Sequence, residues 1–427
     1  MAYIKNKGFF LVLFGILNFT GIYSQASFNV MFYNILNFPS ENAVPNRISH
    51  LEIILDDYRP DIFMVCELNN EFGATRILQM IQDRINSDFE MATFQTNTSD
   101  DNTGNQNDLQ NLIYYDSSKF TLESQTIVPT IYRDFNHYRL KLNTVNQETN
   151  PLYLDAIVCH LKASNGTQNQ ASRLQMVSDL TTYLGTLPTT SNVMLAGDFN
   201  VYTSSEPAFQ ELIDITNPIT FADPANKIGS WHNNTNYVNV FTQSTRTQTG
   251  FGGSNGGFDD RFDFIMTSEN MLTNTDLYYK PNSYQVYGNN GNVPCYNKSI
   301  IDSECAGTKY SISIREALHY FSDHLPVTLK ISTNATLSVP EFSTAVTKPI
   351  EIIGPNYVQN TLTLKVNTLP QGTNNLKIYN TLGQHVKTIP VKTAYTYNVT
   401  LTNLSAGIYY IVANNTQVEP LKFIKTH

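Results

Sequence analysis

The feature that most constrains the fold is a series of apolar, strand-like runs that alternate with helix-like stretches between about Ser27 and Ile331. Several runs are apolar at consecutive positions, which is typical of central strands covered on both faces. The predicted strands are 28–35, 61–67, 111–115, 139–143, 152–160, 192–196, 262–267 and 325–331, and the predicted helices are 45–57, 170–184 and 207–215. This order predicts an α/β domain whose strands are covered by helices or by a second sheet.

The two ends of the chain differ from this central part. Lys5 and Lys7 precede a short apolar run at 9–17, so residues 1–25 are expected to be a cleaved signal peptide. The run is shorter than the ~20 apolar residues that a membrane span needs. The main domain is expected over 26–333, a Ser/Thr/Pro-bearing linker over 334–349, and a small β-sandwich of short alternating strands over 350–427.

Charge and cysteine placement limit the classes of function. The chain has a formal net charge of −9, whereas proteins that hold nucleic acid by broad charge neutralisation are usually basic. A polyanionic substrate would therefore need bound divalent metal for much of its attraction. Cys295 and Cys305 lie in a polar loop of a chain bound for an oxidising compartment, which predicts a disulfide. Cys66 and Cys159 lie in apolar runs and are expected to be small buried hydrophobes.

The most informative string is Gly197-Asp198-Phe199-Asn200, directly after a predicted strand. Asp198 and Asn200 are expected to point out together at the end of that strand. A carboxylate and an amide at this spacing suit the positioning of a water beside phosphorus, because the Asp accepts a proton or a hydrogen bond and the Asn fixes geometry. An ordinary Asp/Asn turn is the alternative interpretation.

A second string, SDHLPV at 322–327, places Asp323 directly before His324 at the start of a strand. An imidazole beside a carboxylate can be held in one tautomer and act as acid or base. A surface Asp-His pair without a role is the alternative. A functional pair is favoured because the other strings occur in the same chain.

Two further residues end buried strands and suit a metal. Glu67 is an isolated carboxylate, and magnesium prefers one or two carboxylates together with waters and phosphate oxygens. Asn34 ends the first strand and is expected to orient Glu67 or to help hold the metal. A turn-forming asparagine is the alternative for Asn34.

The remaining candidates lie on two other strands. His160 and Lys162 would share a face and form a cationic pair suited to a phosphate, with a satisfied core histidine as the alternative. Asp263 enters a strand after the glycine-rich stretch 250–257 and is expected at the mouth of the site, while 259–261 is interpreted as a solvated turn. Because P-loop and HExxH motifs are missing from the sequence, attack by metal- and base-activated water remains.

In their order along 28–332, these strings resemble the endonuclease/exonuclease/phosphatase superfamily, with GDFN and SDHLPV as the most specific marks. The resemblance implies a four-layer α/β sandwich of two packed mixed β-sheets flanked by helices. It also implies a hydrolase of phosphoester bonds that uses a divalent metal, Mg²⁺ first, with Mn²⁺ or Ca²⁺ as alternatives.

The resemblance also assigns roles to individual residues. It implies that Asn34, Glu67 and Asp323 bind the metal and that His160 contacts the scissile phosphate or protonates the leaving group. It implies that Asp198 and Asn200 position the attacking water. His324 would be the general base, and Asp263 would support this second histidine or a metal. Arg139 resembles a phosphate-contacting arginine of the deoxyribonuclease branch. In that branch a Tyr and a Glu precede the strand predicted at 111–115, but 107–110 has no clear equivalent, so the partner of His160 stays open.

The C-terminal β unit resembles the type A sorting domain of the type IX secretion system of Bacteroidetes. The marks are LKIYNTLGQ at 376–384, LSAGIYY at 404–410 and KFIK at 422–425. This implies an encounter with outer-membrane secretion machinery and release to the extracellular space or attachment to the cell surface. A carbohydrate-binding or adhesive β-sandwich is the alternative.

Three functions are compatible with these strings. An exported, monomeric nuclease acting on DNA or RNA is favoured by the export signals, by Arg139 and by the His160–Lys162 pair. A phospholipase C- or sphingomyelinase-like enzyme, or a phosphomonoesterase of the same superfamily, is the alternative that Trp231 and the tyrosine-rich stretch 278–287 leave open. A non-catalytic surface-binding protein is disfavoured because the polar site positions are all retained.

Overall fold

The computed structural model describes residues 26–99, 109–338, 349–354, 356–367, 369, 374–413 and 420–426. The chain divides into two compact units, Met1–Ser338 and Val339–His427, which are treated separately below. The expected signal peptide at 1–25 and most of the expected linker at 334–349 lie outside the described residues.

The described part of the first unit alternates strands and helices. Its strands are β1 (Ala26–Phe38), β2 (Ile62–Leu68), β3 (Phe89–Met91), β4 (Gln110–Asp116), β5 (Phe120–Val128), β6 (Phe135–Leu142), β7 (Tyr153–His160), β8 (Val193–Asp198), β9 (Phe221–Ala222), β10 (Asp263–Ser268), β11 (Tyr278–Tyr279), β12 (Gln285–Val286) and β13 (Val327–Thr333). Its helices are α1 (Arg47–Tyr58), α2 (Glu71–Arg84), α3 (Thr167–Leu184), α4 (Pro207–Leu212), α5 (Asn270–Thr273) and α6 (Ile312–Phe321).

These strands form two mixed sheets. The first has the order β11-β13-β1-β2-β4-β3, with β12 also paired to β13, and the second has the order β5-β6-β7-β8-β10-β9. The sheets pack face to face, because β1 and β2 contact β8 of the second sheet and β4 contacts β7. On the outside, α1 packs with α2 and α6, and α3 packs with α4. The α/β sandwich of two packed mixed sheets with flanking helices is therefore confirmed.

Two helices that lie next to candidate site residues in the sequence begin with side-chain caps. The Asn70 side chain accepts a hydrogen bond from Gly73 N at the start of α2, and the Ser311 hydroxyl accepts one from Ile314 N at the start of α6. Such caps satisfy backbone N–H groups that the first helical turn leaves unpaired. Helix α6 ends at Phe321, which delivers the chain directly into the Ser322-Asp323-His324 string.

Strand pairing brings the ends of several strands together. The parallel pair β1–β2 sets Asn34 opposite Cys66, one residue before Glu67. The parallel pair β7–β8 sets His160 opposite Asp198, and the antiparallel strand β10 begins with Asp263 opposite the same Asp198. Polar groups from both sheets therefore meet at one edge of the sandwich.

The cysteines occupy two environments. Cys66 and Cys159 are buried free thiols, and Cys295 is joined to Cys305 in a disulfide. Cys159 also explains the glycine of the GDFN string, because a Cβ on Gly197 would lie 2.3 Å from Cys159 Sγ and 2.5 Å from its carbonyl oxygen. A side chain at that position would push β7 and β8 apart, and overpacking of this kind costs about 1–3 kcal/mol.

The described part of the second unit is built of strands. They are β14 (Ile350–Ile352), β15 (Tyr357–Val358), β16 (Thr361–Val366), β17 (Asn375–Asn380), β18 (His385–Pro390), β19 (Tyr395–Thr400), β20 (Gly407–Ala413) and β21 (Leu421–Lys425). They form the sheets β14-β16-β19 and β15-β21-β20-β17-β18 around a core that includes Leu362, Ile378 and Phe423. The expected C-terminal β domain is confirmed. Across the described parts of both units, no helix combines the length and apolar character needed to cross a membrane.

Candidate active site

A cavity of about 420 Å³ lies where these strand ends meet. Polar and titratable groups dominate its wall, and a few apolar side chains such as Leu36 and Phe262 line it as well. The lining residues are Leu36, Asn37, Glu67, Leu109, Arg133, His160, Ala163, Ser164, Asp198, Asn200, Tyr202, Gln243, Gly253, Ser254, Phe262, Asp323 and His324.

Asp198 is the centre of the cluster. Its Oδ2 accepts a hydrogen bond from Asn34 Nδ2 at 3.1 Å and lies 3.7 Å from His160 Nε2 and 3.8 Å from His324 Nε2. Its Oδ1 accepts a hydrogen bond from Asn200 N at 3.0 Å. The structure thus brings both residues of the GDFN string and both histidines to one point.

Glu67 lies beside Asp198 in a strained backbone conformation. Its φ of 58° is in the left-handed region, which is unfavourable for a residue with a side chain and is found at functional sites. Asn34 Nδ2 donates to Glu67 Oε1 at 2.9 Å, and Asn34 Oδ1 accepts from Leu36 N at 3.1 Å. Both ends of the Asn34 amide are therefore used, and its side chain orients the two carboxylates.

His324 is held by a carboxylate on its far side. Its Nδ1 donates to Asp263 Oδ2 at 2.7 Å, and its Nε2 lies 2.6 Å from the amide nitrogen of Gln243. Burial by itself would lower the pKa of His324, but the negative charges of Asp263 and Asp323 raise that pKa well above its usual value. His324 is therefore positioned to hold a proton and to exchange it with a group near Asp198.

The pKa values of Asp198 and His160, the other two groups at the centre, are shifted in opposite directions. Burial, together with the nearby charges of Asp263 and Glu67, raises the pKa of Asp198 to about 8, although His324 opposes the shift. Burial and the positive charge of Arg133 hold the pKa of His160 well below its usual value. At neutral pH, without a cation, these shifts favour a neutral His160, a protonated His324 and a protonated Asp198 carboxyl.

Arg133 fixes the end of β7, and the sequence pattern did not indicate it. Its Nε donates to the carbonyl of His160 at 2.8 Å and its Nη2 donates to the carbonyl of Leu161 at 2.6 Å. His160 Nδ1, by contrast, is buried and has no hydrogen-bond partner among the residues that the structure describes. Arg133 follows a short loop without periodicity, so only long-range packing brings it to the cavity.

Asp323 is covered by the glycine-rich loop. Ser254 N donates to Asp323 Oδ2 at 2.6 Å, and a Cβ on Gly253 would lie 2.3 Å from that same oxygen. Gly253 also has a φ of +63°, so both its conformation and its closeness to Asp323 require glycine. Within the described chain, the side-chain groups spaced to hold a metal are Glu67–His160–Asp198 and Asp198–Asp263–His324, and Asp323 lies outside both.

Two expected phosphate contacts are placed elsewhere. Arg139 Nη1 lies 3.3 Å from Asp155 Oδ1, and its guanidinium stacks 4.2 Å from the centre of the Tyr153 ring. Tyr153 and Asp155 are near the start of β7, whereas His160 ends that strand roughly 16 Å away at 3.3 Å per residue. Arg139, expected to contact a phosphate, does not line the cavity, because the strand register places it opposite Asp155 near the start of β7. Lys162 does not line the cavity either, and its ammonium lies 5.6 Å from the Tyr132 ring.

Comparison with known proteins supports the two-unit description. Residues 353–425 match the family described as "Secretion system C-terminal sorting domain", so the expected sorting domain is confirmed. No curated protein matches the chain.

Several solved structures are similar to a large part of the chain, and three of them each cover 72–73% of it. Zebrafish TDP2 complexed with a single-strand DNA product is 14% identical, with a TM-score of 0.45 over 72% of this chain and 100% of that one. The human Nocturnin catalytic domain with bound sulfate is 13% identical, with a TM-score of 0.43 over 73% and 97%. An endonuclease/exonuclease/phosphatase from Bacteroides vulgatus is 13% identical, with a TM-score of 0.45 over 72% and 99%. These are likenesses of fold, and the function proposed below rests on the residues of the cavity.

Proposed function

We propose that the chain is an exported, divalent-metal-dependent phosphodiesterase that hydrolyses nucleic acid by attack of an activated water on phosphorus. One observation carries the proposal: Asp198 Oδ2 lies between the Nε2 atoms of two histidines, at 3.7 Å from His160 and 3.8 Å from His324. A carboxylate between two imidazoles of opposite protonation suits a reaction that removes a proton from water and gives one to a leaving oxygen.

The cavity suits a divalent cation. Glu67 and Asp198 offer carboxylate oxygens within 4.8 Å of each other and of a histidine nitrogen, and hard oxygen ligands favour Mg²⁺. Burial and the charge of Asp323 raise the pKa of Glu67, and the pKa of Asp198 is about 8. Crowded, buried carboxylates of this kind gain stability when a cation neutralises them. A cation held by Glu67 and Asp198 would supply positive charge for the phosphate oxygens.

The residues of the chain divide the remaining work. Asp198 and Asn200 hold the attacking water. A cation bound beside Asp198 would lower the pKa of His324, so that this imidazole, fixed by Asp263, could accept the proton of that water. Asn34 keeps Glu67 and Asp198 at a constant separation, with hydrogen bonds of 2.9 and 3.1 Å. His160 presents an uncharged Nε2 to the cavity, which suits a hydrogen bond to a phosphate oxygen or to the leaving group.

Metal binding is expected to release a proton. Because the pKa of Asp198 is about 8 without metal, this carboxyl is mostly protonated at pH 7 and must ionise to bind a cation. Isothermal titration of the metal-free protein with MgCl₂, in two buffers of different ionisation enthalpy, should show proton release at pH 7 that becomes smaller at pH 9.5. Equal release at both pH values would contradict the assignment of Asp198.

Substrate assays test the function itself. We expect metal-dependent cleavage of plasmid DNA or RNA, complete inhibition by EDTA, and a loss of about 10²–10⁴-fold in Asp198→Ala. The matched control is Asp83→Ala, an exposed aspartate of α2. Sphingomyelin and a phosphorylated inositol are assayed in parallel, and activity on either without activity on nucleic acid would refute the nuclease assignment.

The sorting domain supports the proposal that the enzyme acts outside the cell or at its surface. Residues 353–425 match a family named for secretion-system sorting, and the expected signal peptide at 1–25 would deliver the chain to that system. We propose that the substrate is met outside the cell or at its surface, where nucleic acid is a source of phosphate and nucleosides.

A further inference from the structure

An aromatic wall lies beside the phosphate-directed groups of the cavity. Tyr202 lines the cavity two residues after Asn200 and is partly exposed. Phe262 lines it as well, with ring centroids 5.0 Å apart and planes at 72°. The His232 ring contacts Tyr202 from another side, at 5.1 Å and 77°. Two edge-to-face contacts therefore hold the phenol ring at the cavity wall.

The backbone under this ring is also fixed. Tyr202 N donates to Glu206 Oε1 at 2.7 Å, and Glu206 is itself buried in an ion pair with Arg173 at 2.7 Å. His232 N donates to the carbonyl of Tyr202 at 3.3 Å, and His232 Nδ1 lies 2.6 Å from Asp260 Oδ1. A ring held in this way loses little freedom when a ligand binds, so its contact energy is retained.

The few positive charges that line the cavity limit how many further phosphates a substrate can carry. Among the described residues that line it, Arg133 is the only lysine or arginine, and its guanidinium donates to the carbonyls of His160 and Leu161. A polyol with several phosphates would need more cations than this wall offers. A planar, uncharged ring needs none, and bases stack on aromatic side chains with a useful gain in affinity.

We propose that Tyr202, supported by Phe262 and His232, is the platform on which a nucleobase next to the scissile phosphate stacks. The inference rests on the proposed phosphodiesterase function and names the residue that recognises a base of the nucleic-acid substrate. Tyr202 is then a specificity-determining residue that acts on the base, whereas Asp198 and His324 act on the phosphate.

Dinucleotides that lack one base test this directly. The substrates are TpT and its two analogues in which one nucleoside is replaced by 1,2-dideoxyribose, each with MgCl₂. For the wild type we expect kcat/KM to fall about 10- to 100-fold on one of the two analogues. Tyr202→Ala should show a similar fall on TpT and little further fall on that analogue. Tyr202→Phe, which keeps the ring, should remain within about three-fold of the wild type.

The matched control is Tyr153→Ala, a partly buried tyrosine at the other end of β7. It should preserve the base dependence of the wild type. An equal fall on TpT and on both analogues in Tyr202→Ala would mean that Tyr202 only supports the scaffold, and would overturn the proposal.

A choline headgroup also binds aromatic rings, so p-nitrophenylphosphorylcholine is assayed with the same variants. Hydrolysis of this ester without hydrolysis of TpT would overturn base stacking while leaving a phosphodiesterase in place. Inactivity on every ester, with metal present, would contradict the proposed function itself and the inference with it.

Discussion

His324→Gln is expected to lower kcat by about 10³–10⁴-fold, with a much smaller change in KM. The variant keeps a polar group of similar reach but removes the imidazole, whose Nδ1 is held by Asp263 at 2.7 Å and whose Nε2 lies 3.8 Å from Asp198. General acid–base groups contribute about 10²–10⁴-fold, and a proton carrier whose orientation is fixed by a buried carboxylate belongs at the upper end. Steady-state kinetics on the nucleic acid that the wild type cleaves would measure the loss.

A second variant separates the proton carrier from its support. Asp263→Asn keeps the shape of the side chain but removes the charge that raises the pKa of His324. The imidazole pKa should fall, and the rate in the variant should depend on pH over a lower range than in the wild type. His50→Gln, a half-buried histidine of α1 stacked on Tyr320, is the control and should retain wild-type activity. Full activity of His324→Gln would refute the proposed role of this residue.

Arg261→Ala is expected to give the largest loss of stability. The Arg261 and Asp223 side chains are almost fully buried, and the guanidinium donates to both carboxylate oxygens at 2.9 and 2.7 Å. Arg261 also stacks on Phe264, 4.2 Å from the ring centre. Removing one partner of a buried ion pair leaves an uncompensated charge, which costs about 3–5 kcal/mol. We expect Tm to fall by roughly 10 °C.

The control for this variant is a surface arginine. Arg59 pairs with Asp56, and both side chains are more than half exposed, so Arg59→Ala should change the free energy of unfolding by less than about 1 kcal/mol. Chemical denaturation of the two variants and the wild type makes the comparison. A loss below about 1 kcal/mol in Arg261→Ala would show that burial of this pair contributes little.

The pair also gives a pH dependence. Burial alone would raise the pKa of Asp223, but the charge and hydrogen bonds of Arg261 lower it below its usual value. Because the folded-state pKa is lower than that of the unfolded chain, the stabilisation is present above about pH 4 and is lost as the pH falls through the folded-state pKa. The stability difference between the wild type and Asp223→Asn should therefore shrink on acidification.

Much of the sandwich could be predicted from the sequence because its central strands are short apolar runs that end in polar residues. The predicted strand at 152–160 corresponds to β7, and the predicted helix at 170–184 corresponds to most of α3. Strand β5 was not predicted, because it is half exposed and its residues 123–126 are Glu, Ser, Gln and Thr. Helices α2 and α6 were missed as well, although the buried residues Ala74, Ile77 and Ile81 of α2 and Ile314, Ala317, Leu318 and Phe321 of α6 recur at helical spacing.

The site residues also divide into those that could be predicted from the sequence and those that could not. Residues that end strands, such as Glu67 and Asp198, could be predicted because strand ends lie at one edge of a sheet. Gln243 and Tyr202 lie in irregular segments whose course depends on distant contacts, so local pattern did not indicate them. The interpretation of 259–261 as a solvated turn was wrong for Arg261, because its partner Asp223 lies 38 residues earlier in the chain.

The hydrogen bond from Asn34 to Asp198 joins the two sheets, since Asn34 belongs to β1 and Asp198 to β8. Glu67 and His160 are likewise supplied by opposite sheets, with 4.0 Å between Glu67 Oε1 and His160 Nε2. The reacting geometry is therefore a property of how the halves of the sandwich face each other. A slippage of one sheet over the other by a fraction of an ångström would misalign the chemistry while leaving each sheet intact. Turnover rate is consequently a more sensitive gauge of interior packing in this protein than any melting temperature.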